Sequence, residues 1–206
     1  MQIKNFILRH FRENRWQYLL ISTIFAIGFL AGNYEAANLS AATKNYLLGL
    51  LDNFLRLEVQ SRAGGQDVLT DAMLNQGKIV LAIWFIGLTV IGLPLILAAV
   101  FFRGVSLGFT LKFLIHEKAG GGLAVGMLSI VPQNLIYIPF LLIWSVIAIN
   151  FTMNIVKGIY FNNSVKRQGL ISYTMLMLAF LIFFFLGSVI EAYLSPYLLS
   201  VFLTHI

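Results

Sequence analysis

The sequence predicts an all-α, polytopic membrane protein, and three observations predict it. Of 206 residues, 59% are apolar and 11% charged, where a soluble domain is about 45–50% apolar and about 25% charged. The apolar residues fall in runs of spanning length divided by short polar stretches. The formal net charge of +6 comes from cations at the ends of those runs, as in cytoplasmic loops rather than a nucleic-acid surface. A soluble enzyme, a disordered linker and a disulfide-stapled secreted domain are thereby excluded. There is no cysteine, hence no disulfide, thiolate site or cysteine nucleophile. His10, His116 and His205 are scattered, so neither a zinc site nor any other cofactor is expected.

The basic start, Lys4, Arg9, Arg12 and Arg15 against Glu13, is followed by Trp16 and Tyr18. It places the N-terminus in the cytoplasm and opens a first transmembrane helix over residues 16–34. The apolar run exceeds the 7–15 residues of a signal-peptide core, roughly speaking, so an uncleaved anchor is expected. Residues 35–78 form a long polar stretch, expected outside. Within it Leu47, Leu48, Leu50, Leu51, Phe54, Leu55 and Leu57 recur at helical spacing, with Asp52, Arg56 and Glu58 between them. Ser40 reads as an N-cap, Arg62-Ala63-Gly64-Gly65 as a turn and Asp67 as the cap of a second helix. The expectation is an external amphipathic helical hairpin lying against the outer face. Its apolar stripe is too rich to face water alone. It covers the protein's own helices or docks an external partner, and the sequence leaves both open.

A second spanning helix is expected over residues 79–102, kinked near Leu93 because Pro94 removes a backbone hydrogen bond, and ended by Arg103 on the cytoplasmic side. Residues 104–118 give a short, tilted third helix whose Lys112 faces protein or snorkels outward. Ala119-Gly120-Gly121-Gly122 breaks it. Residues 120–131 are apolar but too short to span, so they read as a re-entrant or interfacial half-helix that Pro132 stops. Residues 134–156 are the fourth helix, with Pro139 near its first turn. Residues 157–168, with Lys157, Lys166 and Arg167, are a cytoplasmic loop. Residues 170–190 are the fifth helix, and residues 191–206 an external tail in which Pro196 breaks the helix. Five crossings put the C-terminus outside.

Gly28/Gly32, Gly104/Gly108 and Gly122/Gly126 each set two glycines on one helix face, the spacing that lets a neighbouring backbone approach. The polar groups nearest the membrane are Lys112, His116, Glu117, Gln133, Asn134 and Glu191. An ionisable group inside a membrane is a functional candidate by default, but all of these except Lys112 fall near the outer boundary. Gln133 and Asn134 could satisfy the backbone that Gly120–Gly122 and Pro132 free. No G-x-S-x-G, H-E-x-x-H, paired intramembrane aspartate or P-loop occurs, so no enzymatic activity is expected. A small permease, or a permease subunit working with a cytoplasmic ATPase, is the alternative. Its support is Lys112 in a short helix, the glycine-rich break and the half-helix. A homo-oligomer is left open.

Several strings then stand in order along nearly the whole chain. They are Trp16-Gln17-Tyr18-Leu19, Ile91-Gly92-Leu93-Pro94, Arg103-Gly104, Gly108-Phe109-Thr110, Val131-Pro132-Gln133-Asn134 and Glu191-Ala192-Tyr193-Leu194-Ser195-Pro196. In these strings the sequence resembles the stage II sporulation protein M family. The resemblance implies a five-helix membrane protein of endospore-forming bacteria. It implies a non-enzymatic component that localises and holds stage II sporulation proteins D and P, which degrade septal peptidoglycan during forespore engulfment. The implied location is the mother-cell membrane at the sporulation septum. On the topology above, Pro132, Gln133 and Asn134 lie at the outer boundary, as do Glu191, Tyr193, Ser195 and Pro196. The two strings are expected to meet and brace the outer surface. Asp52, Arg56 and Glu58 are the candidate partner contacts on the external hairpin.

Overall fold

A computed structural model describes residues 9, 11–60, 65–117, 122–158 and 163–197, and every secondary-structure element among them is helical. The elements are α1 (Arg15–Ala37), α2 (Ala41–Gln60), α3 (Gly65–Gly87), α4 (Gly92–Glu117), α5 (Gly122–Val156) and α6 (Asn163–Val189). A π-helical turn (Ile190–Leu194) continues α6, and the helix runs on through Tyr197. Four stretches are long and apolar enough to cross a membrane: Arg15–Ala37, Gly92–Ile115, Ile130–Val156 and Gln168–Tyr197. The molecule is apolar outside, and its apolar core also holds several polar side chains. Leu30, Phe102, Leu135 and Ile182 lie exposed, while Gln76, Gln133, Ser145, Thr152, Ser188 and Ser195 are buried. That is the arrangement of a bundle whose solvent is lipid.

The closest helix pair is α1 with α4, and glycine makes it close. A Cβ on Gly28 would strike the Phe101 carbonyl, and one on Gly32 the Val105 carbonyl. From the other side, a Cβ on Gly104 or Gly108 would strike the carbonyls of Phe25 and Phe29. Both glycine pairs thus face each other within one chain. Lipid offers no hydrophobic drive between helices, so this backbone-to-backbone packing is itself the attraction. The register rises on both helices together, so α1 and α4 run parallel.

The remaining helices alternate in direction. Asn150 of α5 meets Asn14 and Gln17 at the start of α1, so α5 runs against α1. Trp144 and Thr152 of α5 meet Val80 and Gly87 of α3, so α3 runs with α5. Tyr137, Phe140, Trp144 and Phe151 of α5 meet Phe184, Phe183, Phe180 and Tyr173 of α6 in reverse order, so α6 runs against α5. Trp144 is fully buried at the centre, its ring 5.1 Å from that of Tyr173.

The element boundaries correct the sequence reading at six places, one being that α6 already begins at Asn163, inside the stretch expected as a loop over residues 157–168. Residues 79–102 are not one kinked helix, because α3 ends at Gly87 and α4 begins at Gly92. Pro94 is the third residue of α4, within its first turn, where a missing N–H costs nothing. Arg103 consequently lies in the middle of α4, and the expected short helix over residues 104–118 is the second half of a 26-residue helix. Residues 120–131 form no separate half-helix: α5 is continuous from Gly122 to Val156, with Pro132 and Pro139 inside it. Glu191 and Pro196 do not end the last helix. Asp67 sits in the first turn of α3 rather than capping it.

The break after Gly87 is stabilised from a distance. The Thr152 hydroxyl donates to the Gly87 carbonyl at 2.9 Å, and Thr89 to that of Ile86 at 2.7 Å. The Tyr173 hydroxyl lies 3.3 Å from the Ile83 carbonyl and 3.4 Å from that of Trp84. These side chains satisfy the carbonyls that a helix end leaves open, which an apolar medium would otherwise leave bare. At the end of α5, Gly158 adopts φ 70° and its N–H donates to the Ile155 carbonyl at 3.0 Å, the left-handed stop that glycine favours.

Two expectations concerned α2. Ser40 caps it, its hydroxyl accepting from the Thr43 N–H at 3.2 Å. Among the described residues, α2 is the helix that packs along none of the others. Tyr46 and Leu50 lie exposed on it. Leu47 and Leu48 are half-buried, and the side chains of residues 51–60, which carry the rest of the stripe, lie outside the described residues.

Candidate functional site

The polar cluster lies where the start of α5, the end of α6 and the middle of α4 converge. Gln133 and Tyr137 stand four residues apart on α5, on one face. Ser188, Glu191 and Ser195 follow at spacings of three and four on α6 and its π-helical continuation, again on one face. The two faces bond directly. The Ser195 hydroxyl donates to Gln133 Oε1 at 2.8 Å, both groups being buried. The Tyr137 hydroxyl donates to Glu191 Oε2 at 2.8 Å and lies 3.2 Å from Ser188 Oγ. Ser188 in turn donates to the Phe184 carbonyl at 3.1 Å. Gly187 is what lets the Tyr137 ring lie flat on α6, because a Cβ there would enter the ring.

The π-helical turn has a positional effect. One extra residue per turn re-aims the face of α6 between Ser188 and Ser195, and such turns recur at functional sites. Glu191 is its acidic member. Arg103 of α4 acts electrostatically on both Glu191 and Tyr137. Arg103 and Glu191 are of opposite charge, which lowers the cost of each inside a membrane. Arg103 and Ser106 also line a cavity of about 260 Å³ between α3 and α4, otherwise apolar, with Ile83 and Leu141 on its walls.

The two strings picked out in the sequence thus meet, through Gln133–Ser195. Asn134 faces elsewhere: its Nδ2 donates to the Ile130 carbonyl at 2.8 Å, and it borders an apolar groove against Leu107 and Leu111 of α4. Pro132 is half-buried within α5, and Pro196 half-buried in the last helical turn. Tyr193 points outward, 51% exposed. Lys112 is half-buried one turn beyond Gly108, on the face that α4 turns to α1. The side chains of Asp52, Arg56, Glu58, His116 and Glu117 lie outside the described residues. The sequence reading missed Arg103, Tyr137 and Ser188. The four-residue step from Gln133 to Tyr137 and the three-residue step from Ser188 to Glu191 were the available signals.

A brace is what this chemistry makes. Among the described residues no three His, Cys, Asp or Glu side chains gather to hold a metal ion. A second polar knot ties the opposite end, where Gln17 Nε2 donates to Asn150 Oδ1 at 2.7 Å and Asn150 Nδ2 to Asn14 Oδ1 at 2.8 Å.

A family model described as stage II sporulation protein M matches residues 21–196, from the second turn of α1 through the last turn of the described chain. No curated protein and no solved structure matches.

Proposed function

The chain belongs to the stage II sporulation protein M family, a sporulation-related membrane protein, and from that premise we propose that it is a non-enzymatic scaffold. In this reading it localises and holds the septal peptidoglycan-degrading stage II sporulation proteins D and P while the mother-cell membrane engulfs the forespore. The observation that carries the reading is α2. It is amphipathic in sequence, and Tyr46 and Leu50 of its described first half are exposed, which supports a partner on that face. The bundle beneath supplies rigidity: two glycine-packed helices and two polar knots hold the ends of α1 and α3, between which α2 is strung.

The finer topology belongs to the same proposal. Parallel α1 and α4 require the chain to return between them, and α3 is the element that returns it. We therefore count α3 as a fifth crossing. Its weaker apolar character, with Asp67, Asp71 and Lys78 in its first two thirds, is offset by burial against α5 and α6. Lys and Arg gather before and at the start of α1, just after α5 and in the first turns of α6, which supports a reading with that end in the cytoplasm and α2 on the wall side.

Two of the three supports for a permease are gone, since α4 is of full length and the half-helix is part of α5.

The test is a cross-linked pull-down of the tagged protein from sporulating-cell membranes, read by mass spectrometry. The wild type recovers both wall-degrading proteins. Charge reversal at Asp52, Arg56 and Glu58 lowers that recovery while membrane insertion stays normal. Undiminished recovery with all three reversed would move the contact away from α2. Recovery of a cytoplasmic ATPase instead would reopen the permease.

A further inference from the structure

Half of the chain's cations fall in two short stretches of its sequence. Lys4, Arg9, Arg12, Arg15, Lys157, Lys166 and Arg167 are seven of its fourteen cations, and Glu13 is the one acid within these two segments. That surplus equals the entire formal charge of +6; elsewhere seven cations and seven acids cancel. The start of α1 and the end of α5 are remote in sequence and adjacent in space. Gln17 and Asn150 are 133 residues apart and hydrogen-bonded at 2.7 Å. Lys157 lies one turn beyond Met153, whose carbonyl its N–H bonds at 2.9 Å, and the Met153 sulfur accepts from Gln17 Nε2 at 3.8 Å.

Arg12, Arg15 and Lys157 are exposed. Among the described residues the ion pair at this end joins Arg9 to Glu13 at 2.7 Å, and no carboxylate neutralises the other three. The Arg15 guanidinium stands 5.6 Å from the ring centre of Trp16, which is 70% exposed. An aromatic of that kind at a helix start marks the headgroup level of a membrane.

We propose that this end is a binding site for anionic phospholipid, whose phosphodiester sits between Arg12 and Arg15 on the α1 side and Lys157 on the α5 side. Arg12, Arg15 and Lys157 are exposed, without a carboxylate partner among the described residues, and borne on helices that the Asn14–Asn150–Gln17 amide chain ties together. Basic clusters at the cytoplasmic end of membrane helices attract acidic headgroups, each Lys or Arg strengthening the attraction roughly fivefold. The site does not depend on the scaffold reading.

The experiment uses the full chain in neutral detergent. Thermal unfolding is followed as phosphatidylglycerol, cardiolipin or phosphatidylcholine is added, with inorganic phosphate as the soluble control, and retained lipid is weighed by native mass spectrometry. The two anionic lipids raise the melting temperature and stay bound; phosphatidylcholine and phosphate do neither. Arg12→Gln, Arg15→Gln and Lys157→Gln together weaken retention roughly 100-fold. Lys44→Gln with Lys78→Gln at the other end leaves it unchanged, and Arg12→Lys with Arg15→Lys keeps it near wild type, which separates lost charge from lost fold. Equal retention of phosphatidylcholine would overturn the proposal. So would wild-type retention in the triple variant, or an equal stabilisation by inorganic phosphate.

Discussion

Tyr137 is the residue on which the polar cluster turns, because its hydroxyl is the donor that Glu191 receives from α5. Tyr137→Phe is expected to destabilise the bundle by about 1–3 kcal/mol, the cost of an acceptor left without its donor. Ser195→Ala should cost about 1 kcal/mol, as side-chain bonds between membrane helices do. Reversible unfolding in mixed micelles measures both. Arg103 and Glu191 should behave as a unit. Arg103→Met alone leaves a carboxylate uncompensated, whereas Arg103→Met with Glu191→Leu recovers about half the loss or more, since an apolar replacement of both charges removes the desolvation penalty. Equal damage in the single and double variants would show that the two charges are not coupled. Gln133 and Glu191 were legible in the sequence as polar residues in apolar surroundings, and Ser195 only through the family resemblance. Arg103 was not, because a cation after an apolar run reads as the end of a helix. Only the position of the preceding break shows that it lies in the middle of one.

That break is the element-scale lesson. A chain reading Gly87-Leu88-Thr89-Val90-Ile91-Gly92-Leu93-Pro94 carries turn residues, yet its apolar content reads as continuous helix with a proline kink. The partners that stabilise an ended helix, Thr152 and Tyr173, come from two other helices, and local patterning does not contain them. Thr152→Val should therefore loosen the end of α3, costing about 1–2 kcal/mol and speeding hydrogen exchange of amides near residues 88–91. Pro132 misled in the opposite sense. It reads as a stop, but a membrane helix tolerates proline where neighbours re-satisfy the backbone. The glycine pairs were legible as packing faces, though not as faces of each other. Gly28→Leu or Gly104→Leu should abolish accumulation of folded protein, since the obstructing atom is backbone. Gly49→Ala and Gly77→Ala meet nothing within 4 Å and should stabilise their helices by about 1 kcal/mol. Melting temperature separates the two classes.

For the whole molecule, the fold class and the family came through from sequence, while the path of the chain between residues 79 and 131 did not. The five-pass topology has a direct test in a chain that lacks cysteine. A single cysteine at Val90 or Lys157 should label from the cytoplasmic side with a membrane-impermeant thiol reagent. One at Ser40 or Asp71 should label from the opposite side. Labelling of Val90 and Asp71 from the same side would show that α3 does not cross. The same helix directions bring the start of α1 to the end of α5, so Arg12 and Arg15 share one end of the bundle with Lys157.

The parallel pairing of α1 with α4 also sets a schedule for synthesis. Gly28 and its neighbour Phe101 are separated by about seventy residues, which a ribosome adds in roughly four to fifteen seconds. During that interval α1 sits in lipid with its glycine face unmatched, and neither α2 nor α3 supplies the mate. Assembly must wait for the fourth helix, and a nascent chain halted before Gly92 has nothing to hold its anchor in place. Such a fragment would be conspicuous to membrane proteases, so the protein's abundance is decided in part by how promptly its second half follows its first.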